Sequence, residues 1–299
     1  MDAFWIILTG TLVAVSASLL GVFLILRKMS MIGDAISHAV LPGIVIAFLL
    51  TNSSSQIPMI IGASLVGVLA TFLIESLHRK SKLQTDASIG IIFTFLFAVG
   101  IILVSQYTGQ VDLDQECVLY GEIAFVPLDR WVTASGIDLG PRNIWTLGAC
   151  CLAIIATIII GYKGLYLTTF DQTFAASLGI STVAWHYTLM TGVSLTTVVS
   201  FESVGAILVV AFLIVPASTA YLLTDDLKIM LILAALIGFL SVLSGYYVAV
   251  YLDASIAACM ALMSGVFFAI AFLFSPGYGI AFKGRRAKMG LQKDYSQQL

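Results

Sequence analysis

Charged residues are scarce in this chain. Asp, Glu, Lys and Arg together make up 10% of its 299 residues, whereas a soluble domain carries about 25%. Hydrophobic residues make up 60%, and the mean hydropathy is +1.06. This composition excludes an ordinary soluble domain, and the formal net charge of -2 gives no sign of a nucleic-acid partner.

Motifs for nucleotide hydrolysis and for peptide or ester chemistry are also missing. The sequence contains no G-x-x-x-x-G-K-[ST] loop, so the chain is not expected to bind ATP by itself. It has no H-E-x-x-H motif, and its cysteines form no C-x-x-C pair. We therefore predict a protein that is not an enzyme, whose uphill work, if any, draws energy from a partner subunit or an ion gradient.

Long apolar segments fill most of the chain, and about 20 such residues are enough to cross a bilayer. They predict an all-α fold, a polytopic transmembrane helical bundle in which residues 1–299 form a single domain. The region 201–216 is compatible with a broken or re-entrant element, which leaves eight or nine spans. The predicted spans are about 4–26, 32–50, 58–77, 87–105, 144–162, 183–200, 205–223, 229–250 and 255–274.

The basic residues fall on one side of the membrane if these spans alternate in direction. The positive-inside rule then places segment 163–181 and the polar tail 283–299 in the cytoplasm. The acidic segment 106–143 is predicted to be extracellular, together with the amino terminus. The apolar start of the chain lacks a basic leader, so we interpret it as the first span and not as a cleaved signal.

One predicted span carries an acid and a histidine four residues apart, Asp34 and His38. On a helix this spacing places both side chains on one face. A carboxylate deep in hydrocarbon costs roughly 2.5–3.5 kcal/mol, so it is expected to face protein, water or an ion. Carboxylate oxygen and imidazole nitrogen suit Mn, Fe or Zn. The alternative is a structural pair that hydrogen-bonds within itself and to Ser37 or Ser30.

Two protein ligands do not complete a metal site. Two copies meeting on a two-fold axis would present the pair twice, so a dimer is the economical hypothesis. Neutral imidazole is the form that binds metal, and uptake should therefore weaken in acid.

A second pattern lies between two later spans. Phe170, Phe174 and Leu178 recur every four residues, which is typical of an amphipathic helix. Asp171 is positioned to cap this helix, and Gly179 to end it. Such a helix lies on the membrane or docks into a groove of a partner. The absence of Lys and Arg favours the partner.

Other polar residues give weaker signals. Glu202, at a span boundary, is interpreted either as a surface residue or as a group along the ion path. We expect His186 to be a structural residue near the interface and His78 to be solvated. Glu75 is expected to snorkel or to pair with Arg79, one helical turn away.

In the stretches 26–43, 85–91, 170–179 and 203–217, the sequence resembles the membrane permease of ABC importers for manganese, zinc and iron. The resemblance implies that Asp34 and His38 bind the metal. Ser37 and Glu202 are candidates for supporting or path residues by their positions alone. It also implies that 170–179 is the coupling helix that docks on the ATPase. The segment 110–142 looks longer than in many relatives, so docking of a binding protein is left open.

The same resemblance implies a set of partners in the plasma membrane of a prokaryote. They are a second permease copy or a paralogue, cytoplasmic ATP-binding subunits, an extracellular metal-binding protein and membrane lipid. The metal, Mn²⁺ or Zn²⁺ with Fe²⁺ as a further candidate, is cargo and not a permanent cofactor. The rival hypothesis is a gradient-driven transporter in which Asp34, His38 and Glu202 form an ion or proton relay.

Overall fold

The computed structural model describes residues 2–51, 56–81, 83–107, 123–128, 130–132 and 138–275, and almost all of them are helical. The helices are α1 (Asp2–Leu26), α2 (Ile32–Ala39), α3 (Leu41–Thr51), α4 (Gln56–Lys80), α5 (Thr85–Tyr107), α6 (Arg142–Phe170), α7 (Gln172–Ser177), α8 (Thr182–Val204), α9 (Ala206–Leu223), α10 (Leu227–Leu252) and α11 (Ile256–Phe274). The prediction of an all-α polytopic bundle is confirmed.

A small irregular cap covers one end of the bundle. It consists of a 3-10 turn (Val126–Leu128) and an antiparallel pair of strands, β1 (Arg130–Val132) and β2 (Asp138–Pro141). The cap contacts the start of α1, because Arg130 Nη2 lies 3.9 Å from Asp2 Oδ1 and the Trp5 ring packs against Gly140. We call this end the hairpin face.

The opposite end, where α1 finishes, is the basic face. It comprises residues 27–31, 78–81, 163–181 and 224–228. Lys228 Nζ lies 5.8 Å from the centre of the Tyr162 ring, which brings the α9–α10 loop to the level of the last turns of α6. The cap and the basic loops therefore occupy opposite ends of the bundle, as alternating spans require.

Eight spans of the described chain are long and apolar enough to cross a membrane. They are Asp2–Leu26, Ile32–Thr51, Pro58–His78, Thr85–Tyr107, Arg142–Phe170, Ala206–Leu223, Leu227–Leu252 and Ile256–Phe274. The sequence-based count was eight or nine, with the doubt placed at 201–216. In the structure the helix missing from this apolar set is α8, which has 23 residues.

Helix α8 crosses the bundle from end to end, antiparallel to α4. His186 lies 3.8 Å from Glu75 near the basic face, and the Ser194 hydroxyl donates to the Ser64 carbonyl at 3.3 Å further along. Other helices, α1, α2, α6 and α9, also pack against α8. Because these five helices cover much of its surface, above all from residue 192 to 204, α8 tolerates a more polar composition and serves as a ninth long helix in the described part of the bundle.

The centre of the core is the packing of α1 on α9. Phe23 and Phe212 are fully buried there. A Cβ added at Gly21 would lie 1.7 Å from the Leu213 carbonyl oxygen, so the two backbones are in direct contact. Close approach at small residues is the usual way for membrane helices to gain packing energy without a hydrophobic driving force.

Two predicted boundaries need correction. The break expected from residue 163 is wrong at its start, because α6 continues to Phe170. The Trp185 ring packs against Gly161 and Gly164, and this contact keeps the last two turns of α6 on the bundle. The interruption expected within 201–216 is a single residue, Gly205, at φ +78°, and Pro216 lies inside α9 without ending it.

Candidate metal site and coupling helix

Asp34 and His38 lie on the short helix α2, one turn apart. Nε2 of His38 is 3.7 Å from Oδ1 of Asp34, so the two groups share one side of the helix. The Asp34 side chain is 44% exposed and the His38 side chain 31%. The structure therefore brings the predicted pair together and leaves it open on one side.

Aromatic rings form a wall beside the imidazole. The ring centre of His38 lies 5.7 Å from that of Phe93 and 5.8 Å from that of Phe97, both on α5. The neighbouring Ser37 is buried, and its hydroxyl donates to the backbone carbonyl of Asp34. That hydrogen bond satisfies the hydroxyl within its own helix and directs it away from the carboxylate.

The pair lies near the middle of the bundle's height. Ile36, between its two members, packs against Gly67, which is close to the midpoint of α4. Phe93 and Phe97 likewise flank the midpoint of α5. A carboxylate at this depth is at the level where hydrocarbon penalises charge most.

The helix is interrupted at Val40, between α2 and α3, two residues before Pro42, which was expected to kink the span. Beyond the break, α3 lies directly on α4. A Cβ added at Gly43 would lie 2.4 Å from the Gly62 carbonyl oxygen. This glycine contact fixes α3, and through it the height and rotation of the site helix α2.

Two donors alone do not hold a metal. Within the described residues, no three His, Cys, Asp or Glu side chains lie close enough together to form a metal site. A tetrahedral or octahedral ion needs at least two further ligands besides Asp34 and His38. They must come from water, from the ion's carrier or from a second subunit.

The short helix α7 forms at the basic face. Asp171 is its N-cap, and its carboxylate accepts a hydrogen bond from the backbone amide of Phe174 at 2.8 Å. The chain reverses after the helix at Gly179, whose φ of +77° is in the region that favours glycine. Asp171 therefore caps the helix, and Gly179 ends it, as the sequence predicted.

The apolar stripe of this region is exposed. Phe170, Phe174 and Leu178 are 53%, 51% and 56% exposed, whereas Ala175 on the inner side of α7 is completely buried. Because α7 lies at an end of the bundle and not along its lipid-facing flank, these side chains form an apolar patch available to another protein.

A polar cavity lies behind α7 at the basic face. It has a volume of about 380 Å³ and includes Arg27, Glu75 and His186 in its lining. Arg27 donates to the hydroxyls of Thr168 and Thr169 at 3.0 and 3.1 Å, tying the loop before α2 to the end of α6. Burial lowers the pKa of the Arg27 guanidinium to about 10, so it remains charged at neutral pH.

Comparison with known proteins settles the family. A model of the ABC 3 transport family matches residues 3–275. The chain belongs to the ABC 3 transport family. It is 51% identical over 290 residues to the manganese transport system membrane protein MntD of Bacillus subtilis, with 97% of each chain covered.

Other members of the ABC 3 family match over nearly the same length. The zinc transport system membrane protein TroD of Treponema pallidum is 42% identical, covering 92% of this chain and 74% of that protein. The solved structure of PsaBC from Streptococcus pneumoniae in complex with Fab superposes with a TM-score of 0.75 at 32% identity, covering 92% of each chain.

Membership in the ABC 3 family makes this chain a multi-pass protein of a prokaryotic plasma membrane and a transport subunit rather than an enzyme. The family match does not favour the rival hypothesis of a gradient-driven exchanger.

The structure places some of the predicted residues of this ABC 3 family member and not others. It brings Asp34 and His38 together, and it leaves the apolar stripe of Phe170, Phe174 and Leu178 exposed along and beside α7. The side chain of Glu202, the tail 283–299 and most of segment 106–143 lie outside the described residues.

The pairing of Glu75 with His186 was missed, because 111 positions separate them along the chain. One local signal was available. Glu75 and His78 form a Glu-x-x-His pair on α4, a spacing that puts a carboxylate and an imidazole on one side of a helix. The sequence gives no comparable signal for His186.

Proposed function

We propose that this chain is the permease subunit through which an ATP-driven importer passes a divalent transition metal inward, Mn²⁺ or Zn²⁺, with Fe²⁺ as a further candidate. The observation that carries the proposal is the Asp34–His38 pair, held 3.7 Å apart at mid-height of the bundle and open on one side. Its donor types suit these metals. Similar proteins named as manganese and zinc transport components support the choice.

A second permease subunit, an identical copy or a paralogue, completes the site. A carboxylate that is 44% exposed at this depth would otherwise face lipid, at a cost of roughly 2.5–3.5 kcal/mol. Two subunits related by a two-fold axis bring two carboxylates and two imidazoles to one ion. The path for the ion then runs along the axis between the subunits.

The basic face is assigned to the cytoplasm by the positive-inside rule. Cytoplasmic ATP-binding subunits dock there on α7, and Phe170, Phe174 and Leu178 enter their groove. The hairpin face then meets an extracellular metal-binding protein that delivers the ion. On this proposal residues 1–299 form one transmembrane domain, with 163–181 as its coupling segment.

Reconstitution of the complete importer in lipid vesicles tests the function. Uptake of ⁵⁴Mn²⁺ or ⁶⁵Zn²⁺ is expected only with the ATP-binding subunits and ATP present. The amount of bound metal lost on changing Asp34 to Ala should equal one ion per two permease chains. Uptake by the permease alone, driven by an imposed proton gradient, would overturn the proposal in favour of a secondary transporter.

A further inference from the structure

The chain has three histidines, and two of them lie away from the Asp34–His38 pair. His78 and His186 both line the 380 Å³ cavity at the basic face, together with Glu75. One carboxylate and two imidazoles are the donor set typical of sites for borderline divalent metals. Nothing in the proposed function uses these three side chains.

Glu75 and His78 share α4, and His186 faces Glu75 from α8. Glu75 and His78 are three residues apart on α4, the Glu-x-x-His spacing by which helical bundles present metal ligands. From α8, Nε2 of His186 lies 3.8 Å from Oε2 of Glu75. Two donors that share an ion at about 2.1 Å each lie roughly 3 Å apart, so a small side-chain rotation closes this pair on a metal.

Both members of the cross-helix pair are largely shielded from solvent. The Glu75 side chain is 19% exposed and the His186 side chain 15%. Shielding by protein strengthens the attraction between a carboxylate and a cation. The third donor, His78, completes the set from the end of α4.

The His78 ring has its acceptor nitrogen available. Its Nδ1 lies 3.1 Å from the Leu83 carbonyl oxygen, and a carbonyl only accepts, so the neutral ring carries its proton on Nδ1. Nε2 is then the basic nitrogen. Metal-binding histidines are usually oriented by such a hydrogen bond from the other ring nitrogen.

The cavity lies on the cytoplasmic side of the first site. Ile36, between Asp34 and His38, packs against Gly67 of α4, and Glu75 is eight residues further toward the basic face. Eight helical residues span about 12 Å. An ion leaving the Asp34–His38 pair inward would therefore meet Glu75 about two helical turns later.

Arg27 and Lys28 also line the cavity and limit how tightly it holds a cation. The Arg27 guanidinium is directed toward α6 by its bonds to Thr168 and Thr169, but its charge still opposes a divalent ion. With one carboxylate against two cations, a bound ion is retained weakly. Weak retention suits a point of release.

We propose that Glu75, His78 and His186 form a second binding site, at which the permease holds the transported divalent cation just before releasing it into the cytoplasm. The inference rests on the proposed function for the identity of the cargo. The three donors are not preassembled, so the ion draws them together when it arrives. Gln172, the first residue of α7, lines the same cavity, and occupancy is thereby linked to the coupling helix.

Mn²⁺ binding to the purified importer tests the site, followed by the loss of the free-ion EPR signal. Asp34→Ala with His38→Ala removes the first site, and the double variant should still bind Mn²⁺. Pulsed EPR should show coupling of that Mn²⁺ to imidazole ¹⁴N. Adding Glu75→Gln or His186→Gln should weaken the remaining binding at least about tenfold.

Matched variants separate ligation from damage to the fold. Ser76→Ala, next to Glu75 on α4, should leave binding unchanged, and Glu75→Asp should restore most of what Glu75→Gln removes. Should a buried substitution unfold the importer, His78→Ala at the end of α4 still provides the test. It is expected to remove one of the two ¹⁴N couplings.

Two results would overturn the inference. One is double-variant Mn²⁺ binding that does not respond to any of the Glu75, His78 and His186 substitutions. The other is bound Mn²⁺ without ¹⁴N coupling. Failure of the proposed function would give a different result. The wild-type importer would then take up no metal when ATP is supplied, whether or not Mn²⁺ binds at the basic face.

Discussion

The described part of the molecule contains two carboxylate–imidazole pairs that have nearly equal distances but differ in exposure. Asp34 and His38 are 3.7 Å apart on one helix, and Glu75 and His186 are 3.8 Å apart across two. The first pair is 44% and 31% exposed at mid-height, and the second only 19% and 15% exposed at the basic face. The chain's own helices therefore cover the Glu75–His186 pair near the membrane surface, whereas they leave the Asp34–His38 pair, at the depth of the lipid, uncovered.

This inversion is physically informative. A pair enclosed by its own subunit needs no partner, whereas an open pair in the middle of a membrane requires one. We infer that the Asp34–His38 pair is covered only when a second subunit binds, whereas the Glu75–His186 pair is covered by the folding of its own chain. Each of the following experiments tests one part of that difference.

The largest effect is expected from Asp34→Ala. Mutation of a residue that hydrogen-bonds to a metal ligand commonly lowers metal affinity or activity about 10–100-fold. Loss of a ligand itself should therefore reduce ATP-driven metal uptake by more than about a hundredfold. Metal uptake by reconstituted vesicles measures it. Asp225→Ala, in the exposed loop after α9, is the matched control and should transport normally. Uptake near the wild-type rate in Asp34→Ala would remove the open pair from the mechanism.

The next largest effect is expected from Phe174→Asp. A charge placed in the exposed apolar patch should weaken docking of the ATP-binding subunit and lower transport-coupled ATP hydrolysis roughly tenfold. Copurification and ATPase assays measure both. Ala176→Asp adds the same charge on another side of α7 and should have a smaller effect. If the ATPase stays bound and stimulated in Phe174→Asp, the apolar patch at α7 is not a docking surface, and exposure there does not indicate a partner as it does at the Asp34–His38 pair.

A smaller effect is expected from Gly43→Ala. The added methyl would meet the Gly62 backbone at 2.4 Å and push α3 off α4, at a cost of about 1–3 kcal/mol. Thermal unfolding in detergent measures the loss, and metal affinity should fall with it because α2 moves with α3. Gly148→Ala, which meets nothing within 4 Å, is the control. Equal stability of the two variants would show that the site helix is positioned by other contacts.

The smallest effect is expected from Ser37→Ala. Its hydroxyl bonds to a carbonyl of its own helix, so its loss should change uptake by less than about twofold. Initial rates at several metal concentrations give both the maximal rate and the half-saturating concentration. A tenfold loss would mean that the hydroxyl turns toward the ion during transport and belongs to the open pair.

Much of the first site was predictable because its information is local. Asp34 and His38 share a helix face through a four-residue spacing, and Asp171 caps α7 through a contact three residues away. Such relations depend only on helical geometry, which holds wherever a helix forms.

The remainder depends on contacts between distant segments. The end of α6 was misplaced, because contacts with distant residues hold 163–170 on the bundle: the Trp185 ring packs against Gly161 and Gly164, and Arg27 donates to Thr168 and Thr169. Likewise, α8 is less apolar than the other spans, and its packing against neighbouring helices explains how it crosses.

The amino-acid sequence by itself determined the class of molecule, since scarce charge and long apolar segments permit little besides a bundle of membrane helices. It also determined the acid–histidine pair and the capped amphipathic turn, whose residues lie within one or two turns of each other. Only the tertiary structure decided which polar groups are enclosed and which are left open, and that Glu75 meets His186. Burial and cross-helix distance are properties of packing, and no spacing along a chain encodes them.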